Sequence, residues 1–67
     1  MKILVNDQEK KIQKGQTISQ SLKAIQVAPK KGMALSVNQE VVPKTKWDIF
    51  VLQDNDSIMI IQAMQGG

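Results

Sequence analysis

Side chains that commonly carry catalysis are scarce in this 67-residue chain. It contains no His, Cys, Tyr or Arg, so the commonest general base, the thiolate nucleophile and the bidentate phosphate ligand are all missing. Without cysteine there is neither a disulfide nor a thiolate metal site. No pair of its six carboxylates lies in a context that would separate their acidities. We therefore predict a protein that is not an enzyme, with no catalytic or metal-binding residues of its own.

The C-terminal residues Gly66 and Gly67 offer one kind of chemistry that needs no side chain. The α-carboxylate of Gly67 is ionised at neutral pH and can attack the α-phosphate of ATP if another enzyme positions it. The product is an acyl-adenylate, from which sulfur can displace AMP. Gly66 lacks a Cβ, which lets the backbone pass through a narrow channel. The alternative is a chance ending, since average glycine usage gives two terminal glycines in about 0.5% of chains.

The opening of the chain predicts a β-hairpin. Residues 2–5 carry apolar side chains on both faces, which is typical of a strand near the middle of a sheet. Asn6 and Asp7 then supply a turn. Residues 9–14 contain one apolar side chain and three lysines, which favours an edge strand protected against pairing with another chain.

A helix is predicted from the signal at its N-terminus. Thr17 and Gln20 have the spacing of a capping box, in which each side chain accepts a hydrogen bond from the other residue's amide. The helix should therefore begin at Ile18. Pro29 has no amide proton and disfavours a helical backbone at the residue before it, so we expect the helix to stop there.

The second half of the chain predicts another hairpin and a last strand. Residues 33–37 alternate strictly between larger apolar and small side chains, and a turn at 38–39 follows. Pro43 confines the next short strand, at 40–42, to an edge. Residues 57–62 are apolar on both faces, as expected of a strand at the sheet centre or of one whose outer face meets a partner.

The order of these elements defines the fold class. Trp47 is one of two aromatic residues, so we expect its bulk inside the core, and Asn55 should adopt a positive φ in the turn before the last strand. Residues 1–62 are predicted to form one α+β domain, with a mixed four- to five-stranded sheet and one main helix packed on one face. Residues 63–67 contain no turn or cap signal, which indicates an extended, flexible C-terminal Gly-Gly tail.

Charge and hydropathy limit the partners. The net charge of +3 comes from lysines spread along the chain, and two aromatic residues are too few for typical base stacking, so we expect no nucleic-acid partner. No apolar stretch approaches the roughly 20 residues that span a bilayer, and the N-terminus lacks the apolar stretch of a secretory signal. We therefore expect no membrane partner and a cytoplasmic location.

Several stretches together resemble one family over the whole chain. They are residues 1–6, 15–18, 34–43 with Trp47, 54–56 and 62–67. In them the chain resembles the thiamine-biosynthesis sulfur carriers, bacterial relatives of ubiquitin with the β-grasp fold. Asn55 stands where the family usually has Gly, and both residue types tolerate a left-handed backbone.

The resemblance implies a role for the tail. An E1-like, ATP-dependent adenylyltransferase would adenylate Gly67, and a persulfide sulfur donor would convert the adenylate to a thiocarboxylate. Thiazole synthase would then take the sulfur into the thiazole ring of thiamine. The chain itself would bind no cofactor, since the activating partner uses the ATP.

Strand parity indicates which side chains should meet these partners. Successive residues of a strand point to opposite faces, so Met59 and Ile61 should share the face turned away from the helix. In the ubiquitin-like arrangement Leu4 lies on the neighbouring strand of that face. Met64, just beyond the fold, would anchor the tail, because methionine suits surfaces that fit two partners in turn. The alternative is an incidental patch, or one covered by a loop.

Two other functions stay open at this point. Carriers for molybdopterin or tRNA thiolation would use the same chemistry, although molybdopterin carriers resemble this chain less because they tend to have a proline-containing segment before the glycines. In a different class, a small basic module would bind RNA or a protein through its sheet, and the glycines would be irrelevant.

Overall fold

A mixed sheet with one helix against it makes up the part of the chain that the computed structural model describes, residues 1–62. The predicted tail at 63–67, with Met64, Gly66 and Gly67, lies outside the described residues. The elements in chain order are β1 (Lys2–Val5), β2 (Gln8–Lys11), α1 (Ile18–Ala24), β3 (Met33–Val37), β4 (Glu40–Val41), a 3-10 turn (Lys44–Lys46) and β5 (Ser57–Gln62).

The five strands lie in the order β2-β1-β5-β3-β4. β1 and β5 are parallel, whereas β2 pairs with β1, and β3 with both β4 and β5, in antiparallel fashion. This order confirms the predicted mixed sheet, with the last strand at its centre and β2 and β4 at its edges.

Tight turns close both hairpins. Asn6 and Asp7 have φ of 50° and 68°, and Asn38 and Gln39 have φ of 51° and 71°. Positive φ at both central residues is the pattern of a type I′ turn, whose twist matches that of the flanking strands. These turns confirm the predicted positions and place an asparagine first in each. Asn55 also has a positive φ, of 69°, as predicted.

The second strand begins earlier and ends earlier than the predicted 9–14. The two-residue turn pairs Val5 with Gln8, and the register then carries β2 along β1 until Lys2 meets Lys11. Beyond that point the residue before β1 offers one further acceptor: the Met1 carbonyl accepts a hydrogen bond from the Ile12 amide at 3.0 Å. The length of β1 therefore limits the length of β2.

The helix begins at Ile18, as predicted, and ends earlier than expected, at Ala24. The Gln20 amide donates to Thr17 Oγ1 at 3.2 Å, and the Thr17 amide donates to Gln20 Oε1 at 2.9 Å, which completes the capping box. At the other end Gln26 adopts φ of 65°, and the Val27 amide donates to the Leu22 carbonyl at 2.8 Å. This Schellman motif ends the helix at Ala24, before Pro29 can act.

The core lies between α1 and one face of the sheet. Trp47 is 2% exposed, and its indole N–H donates to the Val42 carbonyl at 2.9 Å, which confirms its predicted place inside. The other buried apolar residues are Ile3, Val5, Ile12, Ile18, Leu22, Leu35, Val37, Val42, Leu52 and Ile58. In β1 and β3 the buried residues alternate with less buried ones, and in β5 the buried Ile58 and the half-buried Ile60 do the same, so each strand turns its other side chains away from the helix.

Candidate functional site

The sheet surface opposite α1, here called the open face, is the candidate binding surface. The strand registers bring the outward-pointing residues of all five strands onto it. They are Glu9 and Lys11 on β2, Lys2 and Leu4 on β1, Ser57, Met59 and Ile61 on β5, Ala34 and Ser36 on β3, and Val41 on β4.

The structure places three of the predicted partner-binding residues on this face. Met59 is 42% exposed and Ile61 61% exposed, whereas Leu4 is half-buried. Leu4 pairs with Ser57, two residues before Met59, so it lies about 5 Å across the sheet and about 7 Å along it from Met59. Ile61 is two residues further along β5, so Met59 lies between Leu4 and Ile61 on the same face.

Val41 joins the same surface and was missed from the sequence. It pairs with Ser36, which in turn pairs with Met59, and its side chain is 72% exposed. Alternation with the buried Val42 is the signal that could have placed Val41 outward. Leu4, Val41, Met59 and Ile61 are together called the apolar patch.

The other end of the open face is polar. Lys2 Nζ lies 3.0 Å from Glu9 Oε1, and the two side chains are 48% and 67% exposed. An ion pair so exposed contributes at most about 1 kcal/mol to stability. Its main effect is that it makes this end of the open face charged. The open face thus divides into a charged end over β2 and an apolar end over β5, β3 and β4.

The apolar patch lies close to Gln62, the last residue that the structure describes. β5 carries Met59 and Ile61, ends at Gln62 and leads directly into residues 63–67. Gly67 is six residues beyond Ile61, and a fully extended chain of that length spans roughly 20 Å. A protein bound at the patch can therefore receive the chain end in an active site up to about that distance away. Met64, Gly66 and Gly67 themselves lie outside the described residues.

Among residues 1–62, no three His, Cys, Asp or Glu side chains come close enough together to hold a metal ion. No helix among them is long and apolar enough to cross a membrane.

The arrangement defines a ubiquitin-like β-grasp domain, and solved structures share it. A crystal structure of the thiamine biosynthesis protein ThiS from Geobacter metallireducens matches with a TM-score of 0.83 at 23% sequence identity and covers all of both chains. A solution structure of a thiamine biosynthesis protein from the same organism matches with a TM-score of 0.74, also at 23% identity, over all of this chain and 88% of the other. At this identity the likeness establishes the fold.

The sequence comparisons establish the family. The model of the ThiS family matches residues 2–67, and the sulfur carrier protein ThiS of Escherichia coli is 37% identical over 67 residues, covering all of both chains. The chain therefore belongs to the ThiS family, a family of sulfur carriers in thiamine biosynthesis and not of catalysts. Carriers of this kind work with partner enzymes of thiamine synthesis.

Proposed function

We propose that this chain carries sulfur as a thiocarboxylate on the α-carboxylate of Gly67 and delivers it for the thiazole ring of thiamine. The observation that carries the proposal is the position of the apolar patch on β5, the strand that runs directly into the Gly-Gly tail. When a protein binds the apolar patch, the C-terminus of the chain can reach that protein's active site. The carboxylate is the reactive group, because the sequence supplies no thiol or imidazole.

Partner enzymes would convert the Gly67 carboxylate to a thiocarboxylate in three steps. In an E1-like adenylyltransferase the Gly67 carboxylate oxygen attacks the α-phosphorus of ATP, and pyrophosphate leaves. The terminal sulfur of a donor persulfide then attacks the acyl carbon, AMP leaves, and an acyl disulfide forms. A partner thiol attacks the donor sulfur of that disulfide, which releases the thiocarboxylate and leaves a disulfide between the donor and the thiol.

Two partners must then recognise the same carrier in turn. The activating enzyme binds the carboxylate form, and thiazole synthase binds the thiocarboxylate form. Met59 in the apolar patch and Met64 in the tail suit this exchange, because the flexible, polarisable methionine side chain adapts to different surfaces. We place the carrier in the cytoplasm, where ATP and reduced thiols are available. Residues 63–67 act as an extended arm and Gly66 as the narrow segment that enters each active site.

Deletion of Gly67 tests this function. The deletion removes the proposed acceptor and leaves the new terminus about 3.5 Å short, so we expect no adenylation, measured as ATP-dependent pyrophosphate release with the E1-like enzyme. In a strain that lacks its own carrier, the variant should fail to support growth without thiamine. Gln65→Ala is the matched control, because it changes the tail and keeps its length; we expect it to support growth.

Other outcomes separate the alternatives. Growth without thiamine on the shortened chain would contradict the proposal and favour a module whose glycines are irrelevant. Rescue of a molybdopterin-carrier mutant by the intact chain, with no rescue of the thiamine mutant, would reassign the sulfur to molybdopterin.

A further inference from the structure

Asn6 continues the sheet where β1 has ended. The last pair between β1 and β5 is Val5 with Ile58, although β5 runs on to Gln62. The Asn6 amide donates to the Ile58 carbonyl at 2.9 Å. Its side chain then takes the place of the next strand residue: Oδ1 accepts the Ile60 amide at 2.8 Å, and Nδ2 donates to the Ile60 carbonyl at 3.4 Å.

A carboxamide is suited to this task, because it presents an acceptor and a donor in one plane, as a peptide group does. Asn also tolerates the positive φ of 50° that the turn requires at this position. One residue therefore closes the hairpin and holds the end of β5. Without the Asn6 side chain, the part of β5 beyond Ile58 would be paired only with β3.

We propose that Asn6 is a positioning residue for the reactive tail. Ile60 lies between Met59 and Ile61. The Asn6 carboxamide that holds the Ile60 backbone therefore also holds in place the two neighbouring side chains of the apolar patch. It sets the direction in which the chain leaves the docked surface and hence where Gly67 arrives in the partner's active site. This role rests on the proposed function of the tail.

Asn38 provides an internal control, because it occupies the same position in the other hairpin. Its φ is 51°, its Oδ1 accepts the Ser57 amide at 2.9 Å, and its amide donates to the Ser57 carbonyl at 2.7 Å. Asn38 Nδ2 also donates to Asp56 Oδ1 at 3.0 Å. This asparagine therefore fastens the first residue of β5, at the end of the strand away from the tail.

The experiment compares Asn6→Gly with Asn38→Gly in adenylation by the E1-like enzyme, with pyrophosphate release as the readout. Glycine keeps each turn and removes the side-chain hydrogen bonds. We expect similar decreases in urea midpoint for the two variants. Only Asn6→Gly should lower kcat at saturating carrier, by about tenfold or more, because small misplacements of a reacting group are costly. Asn38→Gly should stay within about twofold of the wild type, since it acts far from the tail.

A second variant and an exchange measurement complete the test. Asn6→Asp keeps the oxygen that accepts the Ile60 amide and loses the donor, so its kcat should fall between those of the wild type and Asn6→Gly. Amide hydrogen exchange should accelerate at Ile60 in Asn6→Gly and at Ser57 in Asn38→Gly.

Two results would overturn the inference in distinguishable ways. Equal kcat for the two glycine variants, with the wild type active, would remove the positioning role and leave the proposed function intact. A wild-type chain that the enzyme does not adenylate would refute the proposed function and, with it, the role of Asn6.

Discussion

Ile61→Ala tests whether the apolar patch binds the partners. Ile61 is 61% exposed in the free carrier, and complete burial of an isoleucine side chain contributes about 1.5–3 kcal/mol. Docking can therefore gain about 1–2 kcal/mol from the exposed part, and alanine, which keeps the Cβ, should lose about 1–1.5 kcal/mol of it. Because 1.4 kcal/mol corresponds to a tenfold change in affinity, we expect the Kd for the E1-like enzyme to rise about 5- to 12-fold.

The control is Val51→Ala, which shortens an apolar side chain that is 50% exposed. Val51 lies outside the five strands and pairs with Thr17, next to α1. Its variant should bind within about twofold of the wild type in isothermal titration calorimetry, because Val51 belongs to neither the open face nor the apolar patch. Both free variants should lose less than about 1 kcal/mol of unfolding free energy, since both side chains are at least half exposed.

The result that would refute this reasoning is a Kd for Ile61→Ala equal to that of the wild type. Equal losses for Ile61→Ala and Val51→Ala would also contradict it, because the effect would then not belong to the open face. Ile61→Asp adds a charge that docking would have to desolvate, so it should weaken binding further than alanine does.

Three stability predictions follow from the helix and can be checked by urea unfolding. Thr17→Ala removes the acceptor of the capping box and should cost about 1 kcal/mol of unfolding free energy; an unchanged midpoint would mean that the cap contributes nothing. Ser21 is 1% exposed, and its hydroxyl has no hydrogen-bond partner within residues 1–62, so Ser21→Ala should stabilise the domain by about 1 kcal/mol. Gln26 has φ of 65° in the Schellman motif, and Gln26→Gly should stabilise by about 0.5–1 kcal/mol, whereas a loss would contradict the strain at this residue.

The sequence predicts best the features whose causes are local. The capping box depends on two residues three positions apart, and both of its hydrogen bonds form as expected. The alternation along β5 depends on strand geometry alone, and it places Met59 and Ile61 outward as predicted. The positive φ of Asn55 likewise follows from the preferences of one residue type.

Features that depend on strand register were harder to predict. Asn6 and Ile60 are 54 residues apart in sequence, and only the parallel pairing of β1 with β5 brings them together. To place Val41 beside Met59, one must likewise know two registers: that of β4 with β3, where Val41 pairs with Ser36, and that of β3 with β5, where Ser36 pairs with Met59. The end of α1 was misjudged for a different reason: Gln26 adopts a left-handed backbone that usually belongs to glycine, so the sequence carried little sign of a stop there.

The central claim is that Gly67 becomes a thiocarboxylate, and intact-mass spectrometry of the carrier tests it most directly. Replacement of one carboxylate oxygen by sulfur adds about 16 Da to the chain. For carrier isolated from cells with an active thiamine pathway, we expect this gain on the C-terminal fragment of a digest, and we expect the Gly67 deletion variant to lack it. A wild-type carrier that never shows the gain under these conditions, or a gain that maps to another part of the chain, would contradict the account.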